Sequence, residues 1–335
     1  MIRNSYISGI GINLPSKVMK NEELSNFMDT SDAWITERSG IKERRVVEHV
    51  KESGIGPSDL AIPAVEDAIK MSNLNKEDID LIIFSTAMPD YFLPGSGCLL
   101  QEKMGFPLIG ALDIRTQCAG FIYGLSVADQ FVKSGTYDNV LLVCSEVQST
   151  TIDYSNRGRD VAVLFGDGCG AVVVSSTSDS KGILSSHLHS EGKHAKELWI
   201  ETPSAKMYPR LSHDMVDEGR HFLRMNGKEV FKNAVKRFPE VINECLEHNN
   251  LNVSDIKLFL PHQANIRINK MVQEKLGFND SQVLNNIHKY GNTTSATIPI
   301  LLGEAYKNNL IKEGDYILAA AFGSGFTWGA TLIKW

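Results

Sequence analysis

The chain has 335 residues, 42% of them hydrophobic and 22% charged. That length exceeds one simple core and suits two packed halves of a globular protein. A net charge of -6 speaks against a general nucleic-acid binder, and no apolar run reaches the length of a membrane span.

Met1-Ile2-Arg3-Asn4-Ser5 leads straight into a strand-like run and does not read as a secretory signal. The cysteines Cys98, Cys118, Cys144, Cys169 and Cys245 are scattered, form no CxxC pair, and fit a reducing, cytoplasmic compartment. No His/Cys cluster has ligand spacing, so no metal is expected. His187 and His189 alternate along one strand face, where packing or exposure explains them better than ligation.

Residues 58–72 predict a helix with Ser58 as N-cap and Pro63 tolerated near its start. A second helix follows Cys118 over 119–134, a third spans 227–248, and a fourth follows His262 over 264–276. Val230, Phe231, Ala234, Val235 and Phe238 give the third its apolar face. Between the helices lie continuous apolar strands, the pattern of a sheet buried on both faces. The strands show a weak duplication. Asp78–Ser85 parallels Asp255–His262, Asn139–Ser145 parallels Asp315–Ala321, and Gly168–Val174 parallels Trp328–Ile333. This predicts two similar βα halves, 1–178 and 179–335, with the helix after Cys118 buried between them. Residues 190–224 break the pattern and read as an insertion, either a tunnel wall or an ordinary surface excursion.

Three positions carry chemistry. In Asp113-Ile114-Arg115-Thr116-Gln117-Cys118-Ala119-Gly120-Phe121 a strand end turns into an apolar helix with a cysteine at its start. A helix N-terminus has unsatisfied N–H groups and partial positive charge, which bias a thiol toward the nucleophilic thiolate. His262 ends the apolar run Leu258–Pro261, and Asn292 follows Gly291 before another apolar helix. Each has a plainer reading alone, as core cysteine, structural histidine or turn residue. Together they fall where layered α/β folds collect catalytic groups.

With Cys, His and Asn in that order, the sequence resembles the β-ketoacyl-ACP synthase III family of thiolase-like condensing enzymes. The resemblance spans the chain. It rests on Asp29-Thr30-Ser31-Asp32-Ala33-Trp34-Ile35, Gly40–Arg44, Cys118-Ala119-Gly120-Phe121, Phe165–Gly168, His262-Gln263-Ala264-Asn265, Lys289–Thr293 and Phe322-Gly323-Ser324-Gly325-Phe326-Thr327-Trp328-Gly329. It implies a thiolase-like α/β fold, a five-layer α-β-α-β-α sandwich, in a homodimer that needs no cofactor. It further implies that Cys118 takes an acyl group from acyl-CoA. His262 and Asn292 then stabilise malonyl-ACP as it loses carbon dioxide, and the backbone N–H groups of Cys118 and Gly325 form the oxyanion hole. Thr30, Trp34, Arg38, Arg159, Gly227, Phe231 and Asn265 match CoA-binding positions, with Arg157 a competitor to Arg159. Arg267 matches a carrier-protein docking position. Lys228, Lys232 and Lys236 recur every four residues on one helical face, either a docking stripe for an acidic carrier protein or a solvated face.

Two departures bear on the primer. Thr116-Gln117 stands where the family usually has small residues, and Leu93 precedes Pro94 where many members have an aromatic. Leu93 and Gln117 are therefore expected at the acyl pocket, and acetyl-CoA is not assumed. Ser324 replaces the second cysteine of a degradative thiolase, and Asn292 the second histidine of elongation enzymes. A papain-like protease is disfavoured by the depth of Cys118 in the chain. A small-ketide or polyketide synthase using another primer or malonyl-CoA stays open, as does a non-catalytic acyl-CoA-binding homologue.

Overall fold

The computed structural model describes residues 3–48 and 54–335. Met1 and Ile2, which open the N-terminal stretch read above, lie outside them. Strands β1 (Asn4–Asn13), β2 (Leu81–Ser85), β3 (Gly110–Ile114), β4 (Asn139–Glu146) and β5 (Gly168–Thr177) form one sheet in the order β1-β5-β4-β2-β3. Strands β6 (Gly182–Ser190), β7 (Ile256–Pro261), β8 (Tyr316–Gly323) and β9 (Thr327–Lys334) form another in the order β7-β8-β9-β6.

The sheets share one plan. β1 runs antiparallel to β5 and β5 to β4, while β4 and β2 are parallel. Likewise β6 is antiparallel to β9 and β9 to β8, while β8 and β7 are parallel. The three strand pairs matched by sequence are thus equivalent strands of the two sheets. Their Val, Leu, Ile and Ala runs are buried on both faces because helices cover both sides. Only β3 lacks a counterpart. It forms an edge with residues Gly110, Leu112 and Asp113 exposed.

Helix α1 (Asp32–Ser39) packs beside the site, capped by the Ser31 hydroxyl. Helices α2 (Pro57–Ser72) and α3 (Ser96–Lys103) cover the outer face of the first sheet through Leu60, Ala64, Val65 and Leu100. Helix α4 (Gly120–Lys133) lies on its inner face. Helices α5 (Gly227–His248) and α6 (Ile266–Leu276) cover the outer face of the second sheet through Phe238, Ile242, Ile268 and Val272. Helix α7 (Thr297–Lys307) joins α4 in the middle layer, where one core draws on both sheets. The result is the five-layer α-β-α-β-α arrangement.

Local chemistry moves some helix starts. α2 begins at Pro57, whose missing N–H costs nothing there, and Gly56 rather than Ser58 is the cap. The Gly56 N–H donates to Asp59 Oδ2 at 3.0 Å. Ser58 lies inside the helix, and its hydroxyl donates to Asp90 Oδ1 at 2.7 Å. α6 begins two residues after the expected 264 because Asn265 caps it, accepting from the Arg267 N–H at 2.9 Å. The helix after Cys118 is preceded by a 3-10 turn, Gln117–Ala119.

Strand β1 and helix α2 touch backbone to backbone. A Cβ on Gly11 would sit 1.9 Å from the Ala64 carbonyl oxygen. We expect Gly11→Ala to lower stability by about 2–3 kcal/mol in chemical denaturation, because overpacking there must push helix from strand.

Candidate active site

Cys118 occupies the 3-10 turn at the head of α4 and is 5% exposed. It stands directly against Gly323 at the end of β8, where a Cβ would come within 2.4 Å of the Cys118 Cβ. A glycine at 323 therefore lets the end of β8 approach the Cys118 side chain. The residue before it, Gln117, has φ +44, a left-handed conformation that costs a non-glycine residue roughly 1–3 kcal/mol.

His262 follows the last residue of β7 and is fully buried. Its Nδ1 lies 2.7 Å from Thr297 Oγ1, at the first residue of α7. Its Nε2 is buried with no protein partner. Asn292 follows Gly291, whose φ of +63 turns the chain sharply. The Asn292 Oδ1 accepts from the Thr294 N–H at 2.8 Å. With its oxygen held that way, the Asn292 side-chain NH2 is left to donate.

Cys118, His262 and Asn292 line one cavity of about 270 Å³. Trp34, Arg38, Gly227, Phe231, Asn265 and Arg267 line the same cavity. Trp34 lies between two cations: the Arg38 guanidinium is 4.7 Å from its ring centre and that of Arg159 is 4.9 Å. Arg157 is engaged elsewhere, donating to Asp153 and to the Asp217 carbonyl. Asn265 ties the wall together by donating to the Arg38 carbonyl at 2.9 Å. Thr30 is not among the lining residues, and its Oγ1 is buried without a partner. Lys228, Lys232 and Lys236 are exposed on α5, outside the cavity.

A second cavity of about 260 Å³ also reaches Cys118. Gln117 lines it, together with Met88, Arg115, Gln148 and Trp199. Leu93 does not, because its loop projects outward and leaves it 82% exposed. The 190–224 segment supplies Leu198, Ile200 and Leu223 to this cavity and Met225 follows it into the first, so the insertion is a cavity wall.

Burial dominates the electrostatics. It pushes the Cys118 thiol up to about 12, assisted by the nearby Glu146, while the backbone N–H groups of Ser324 and Cys118 pull the other way. The expected bias toward thiolate is thus overturned in the resting site. A helix end contributes a partial charge, whereas complete desolvation of a thiolate costs more. The second backbone donor facing the sulfur is Ser324 rather than Gly325, which has φ +130 in the middle of the same turn. Burial also holds His262 down to about 3, so its ring is neutral. Glu146 is raised to about 7 by burial, against hydrogen bonds from Ser295, Ala87 and Gln148.

Sequence reasoning missed three groups. Thr297 lies one turn beyond Asn292, and its i+5 spacing carries no recognisable signal. Glu146 ends an apolar strand, where a lone carboxylate at the sheet end was the available sign. Arg115 was legible as a cation three residues before the nucleophile. Among the described residues, no group of three or more His, Cys, Asp or Glu could hold a metal ion. No helix among them is long and apolar enough to cross a membrane.

Comparisons with known proteins bear on the family and the fold. The families described as 3-oxoacyl-[acyl-carrier-protein (ACP)] synthase III and its C-terminal region match residues 112–192 and 246–335. The β-ketoacyl-[acyl-carrier-protein] synthase III of Caldanaerobacter subterraneus is 43% identical over 98% of this chain and 97% of its own. The crystal structure of the Aquifex aeolicus 3-oxoacyl-[acyl-carrier-protein] synthase III superposes with a TM-score of 0.89 at 40% identity, covering 99% of this chain and 100% of that one. The priming β-ketosynthase from the R1128 polyketide pathway gives a TM-score of 0.88 at 28% identity, covering 99% and 96%. The chain belongs to the β-ketoacyl-[acyl-carrier-protein] synthase III family and is a condensing acyltransferase of the thiolase fold.

Proposed function

We propose that this enzyme starts fatty acid synthesis by joining an acyl-CoA primer to malonyl-ACP. The observation that carries the reading is the convergence of Cys118, His262 and Asn292 on one cavity whose mouth holds Trp34 between two arginines. Trp34, Arg38 and Arg159 suit the adenine and phosphates of CoA, and Gly227, Phe231 and Asn265 suit its pantetheine arm.

Cys118 sulfur forms a bond to the primer carbonyl, and CoA leaves with the thiol proton. Malonyl-ACP then occupies the same cavity. Its carboxylate departs as carbon dioxide, and the electron pair passes into the thioester as an enolate. The enolate oxygen accepts from His262 Nε2–H and the Asn292 amide. Thr297 Oγ1, 2.7 Å from Nδ1, sets the tautomer: with its hydroxyl turned to Nδ1 rather than to the Thr294 carbonyl 3.2 Å away, the ring proton is left on Nε2. The enolate carbon attacks the acyl-Cys carbonyl, whose oxyanion is held by the N–H groups of Cys118 and Ser324. Collapse releases β-ketoacyl-ACP and the Cys118 thiolate, which takes up one proton from solvent. No cofactor enters these steps.

Arg267 at the mouth, with Lys232 and Lys236 on the neighbouring helix, forms the docking face for the acidic carrier protein. The five free cysteines, Cys98 among them exposed, suit a reducing cytoplasm. The molecule acts as a homodimer joined along β3. That strand is an open edge, and Leu108, Leu112, Phe92 and Leu93 beside it are exposed apolar groups. The R1128 relative favours a second reading, priming of a polyketide, in which the same steps act on another primer or on malonyl-CoA.

Intact-protein mass spectrometry with acyl-CoA tests the first half-reaction, and product formation from malonyl-ACP tests the second. Cys118→Ala abolishes the acyl adduct. His262→Ala and Asn292→Ala keep the adduct and lower condensation by about 10²–10³-fold, the loss typical of one oxyanion donor. Equal loss of the adduct in all three sinks this division of roles.

Because the Cys118 thiol lies near 12, its thiolate fraction grows with pH throughout the accessible range. Alkylation by iodoacetamide should therefore rise up to pH 9 by roughly tenfold per unit, with no plateau. Nitrogen-15 NMR should find the His262 ring still neutral at pH 5, since its proton is gained only near 3. Leu112→Lys on β3 should turn dimers into monomers in analytical ultracentrifugation.

A further inference from the structure

The second cavity at Cys118 is not lined as a pocket for a plain alkyl chain. Met88, Trp199, Ile200 and Leu223 give it apolar walls, yet Arg115 and Gln117 also face it. Neither of these two side chains has a hydrogen bond or ion pair among the described residues. The nearest acidic neighbour in sequence, Asp113, is already used: it accepts from the Ser96 and Gly97 N–H groups at 2.7 and 3.0 Å. Gln148, also in the wall, is occupied in donating to Glu146 Oε2 at 3.1 Å. Thr294, whose Oγ1 is buried without a partner, and Trp199 line the cavity too, so among the described residues Arg115 is its one cation and Gln117 its one unengaged side-chain amide. Gln117 holds its place in a left-handed conformation, φ +44, immediately before the nucleophile.

Gln117 is half-buried, so an alkyl chain beside it would displace the water that serves its amide, whereas Arg115 is exposed, stays hydrated, and adds a charge partner rather than a desolvation cost. A chain carrying oxygen would satisfy both, and a cavity of about 260 Å³ is larger than an acetyl group needs. We propose that the primer loaded on Cys118 is an oxygenated acyl chain, recognised through acceptor oxygens at Gln117 and Arg115. The inference rests on the loading reaction proposed above. Two sources share this chemistry. A 3-oxo group lies close to the thioester, within the reach of Gln117. A terminal carboxylate suits the guanidinium of Arg115, which forks onto planar anions.

The test is a competition on the full-length enzyme, read by intact-protein mass spectrometry. Octanoyl-CoA is mixed with an equal amount of 3-oxooctanoyl-CoA or of the eight-carbon ω-carboxyacyl-CoA. Within one sample the ratio of adducts does not depend on how much enzyme is folded. An oxygenated chain should win by roughly tenfold or more. Gln117→Leu should abolish a preference for the 3-oxo chain, and Arg115→Leu a preference for the carboxylate. Arg115→Lys should retain part of the latter.

A tie, or a win for octanoyl, overturns the inference while leaving Cys118 loading intact. A preference that survives both substitutions overturns the assignment to these residues. Equal loss of all adducts in Arg115→Leu, with a change of oligomeric state in ultracentrifugation, makes Arg115 a subunit contact and also overturns it. Absence of any Cys118 adduct in the wild type removes the loading reaction itself, and this inference with it.

Discussion

Helices α4 and α7 lie between the two sheets, with Phe121, Ile122, Leu125, Ile298, Leu301 and Leu302 buried to within 1% of complete. This shared middle layer is the constraint on which the site depends. Cys118 opens the run into α4, Thr297 opens α7, and the turn carrying Asn292 leads into α7. Packing the two helices against both sheets sets these groups side by side. Gly323 then brings the end of β8 against the sulfur. A nucleophile held this way sits on rigid elements and needs no loop closure to find its partners.

The same packing dries the site, and dryness sets the charge states. Cys118 is held up, Glu146 is held up and His262 is held down, each chiefly by burial. In the proposed mechanism a neutral imidazole is what the enolate needs from His262, since it donates a hydrogen bond without giving up a proton. In a low-dielectric site such donors count for more than in water, provided they are fixed before charge appears. Thr297 and the Thr294 N–H do that fixing for His262 and Asn292. The cost is a nucleophile that rests as a thiol.

Two cavities meeting at one sulfur divide the recognition. In the proposed function the first, with its cationic, aromatic mouth, takes the nucleotide handle shared by every acyl-CoA. The second would then touch only the transferred acyl group, so variation there would change the primer without disturbing the handle. Its polar lining includes Arg115 and Gln117, the two side chains that flank Thr116 at the strand end before Cys118.

Much of this was legible in the sequence because it is carried by local pattern. Buried strands announce themselves as apolar runs, and their repetition at matching offsets gave the duplicated halves. Helix α5 was visible at its full span, Gly227–His248, through one apolar face. Cys118, His262 and Asn292 each stand at a strand or helix boundary, and the motifs around them carried the family resemblance that suggested the chemistry. What the sequence could not decide depends on neighbours distant in the chain. The thiol state of Cys118 follows from total desolvation, which no local helix end reveals. Ser324 and Gly325 are adjacent, and only the course of the turn selects which N–H faces the sulfur. Leu93 looked like a pocket residue by position, yet its side chain points outward, beside an unpaired sheet edge. Residue identity and periodicity determined the elements and the reactive groups. Side-chain direction, protonation and cavity lining were decided by tertiary structure, because each is set by which parts of the other half exclude water around it.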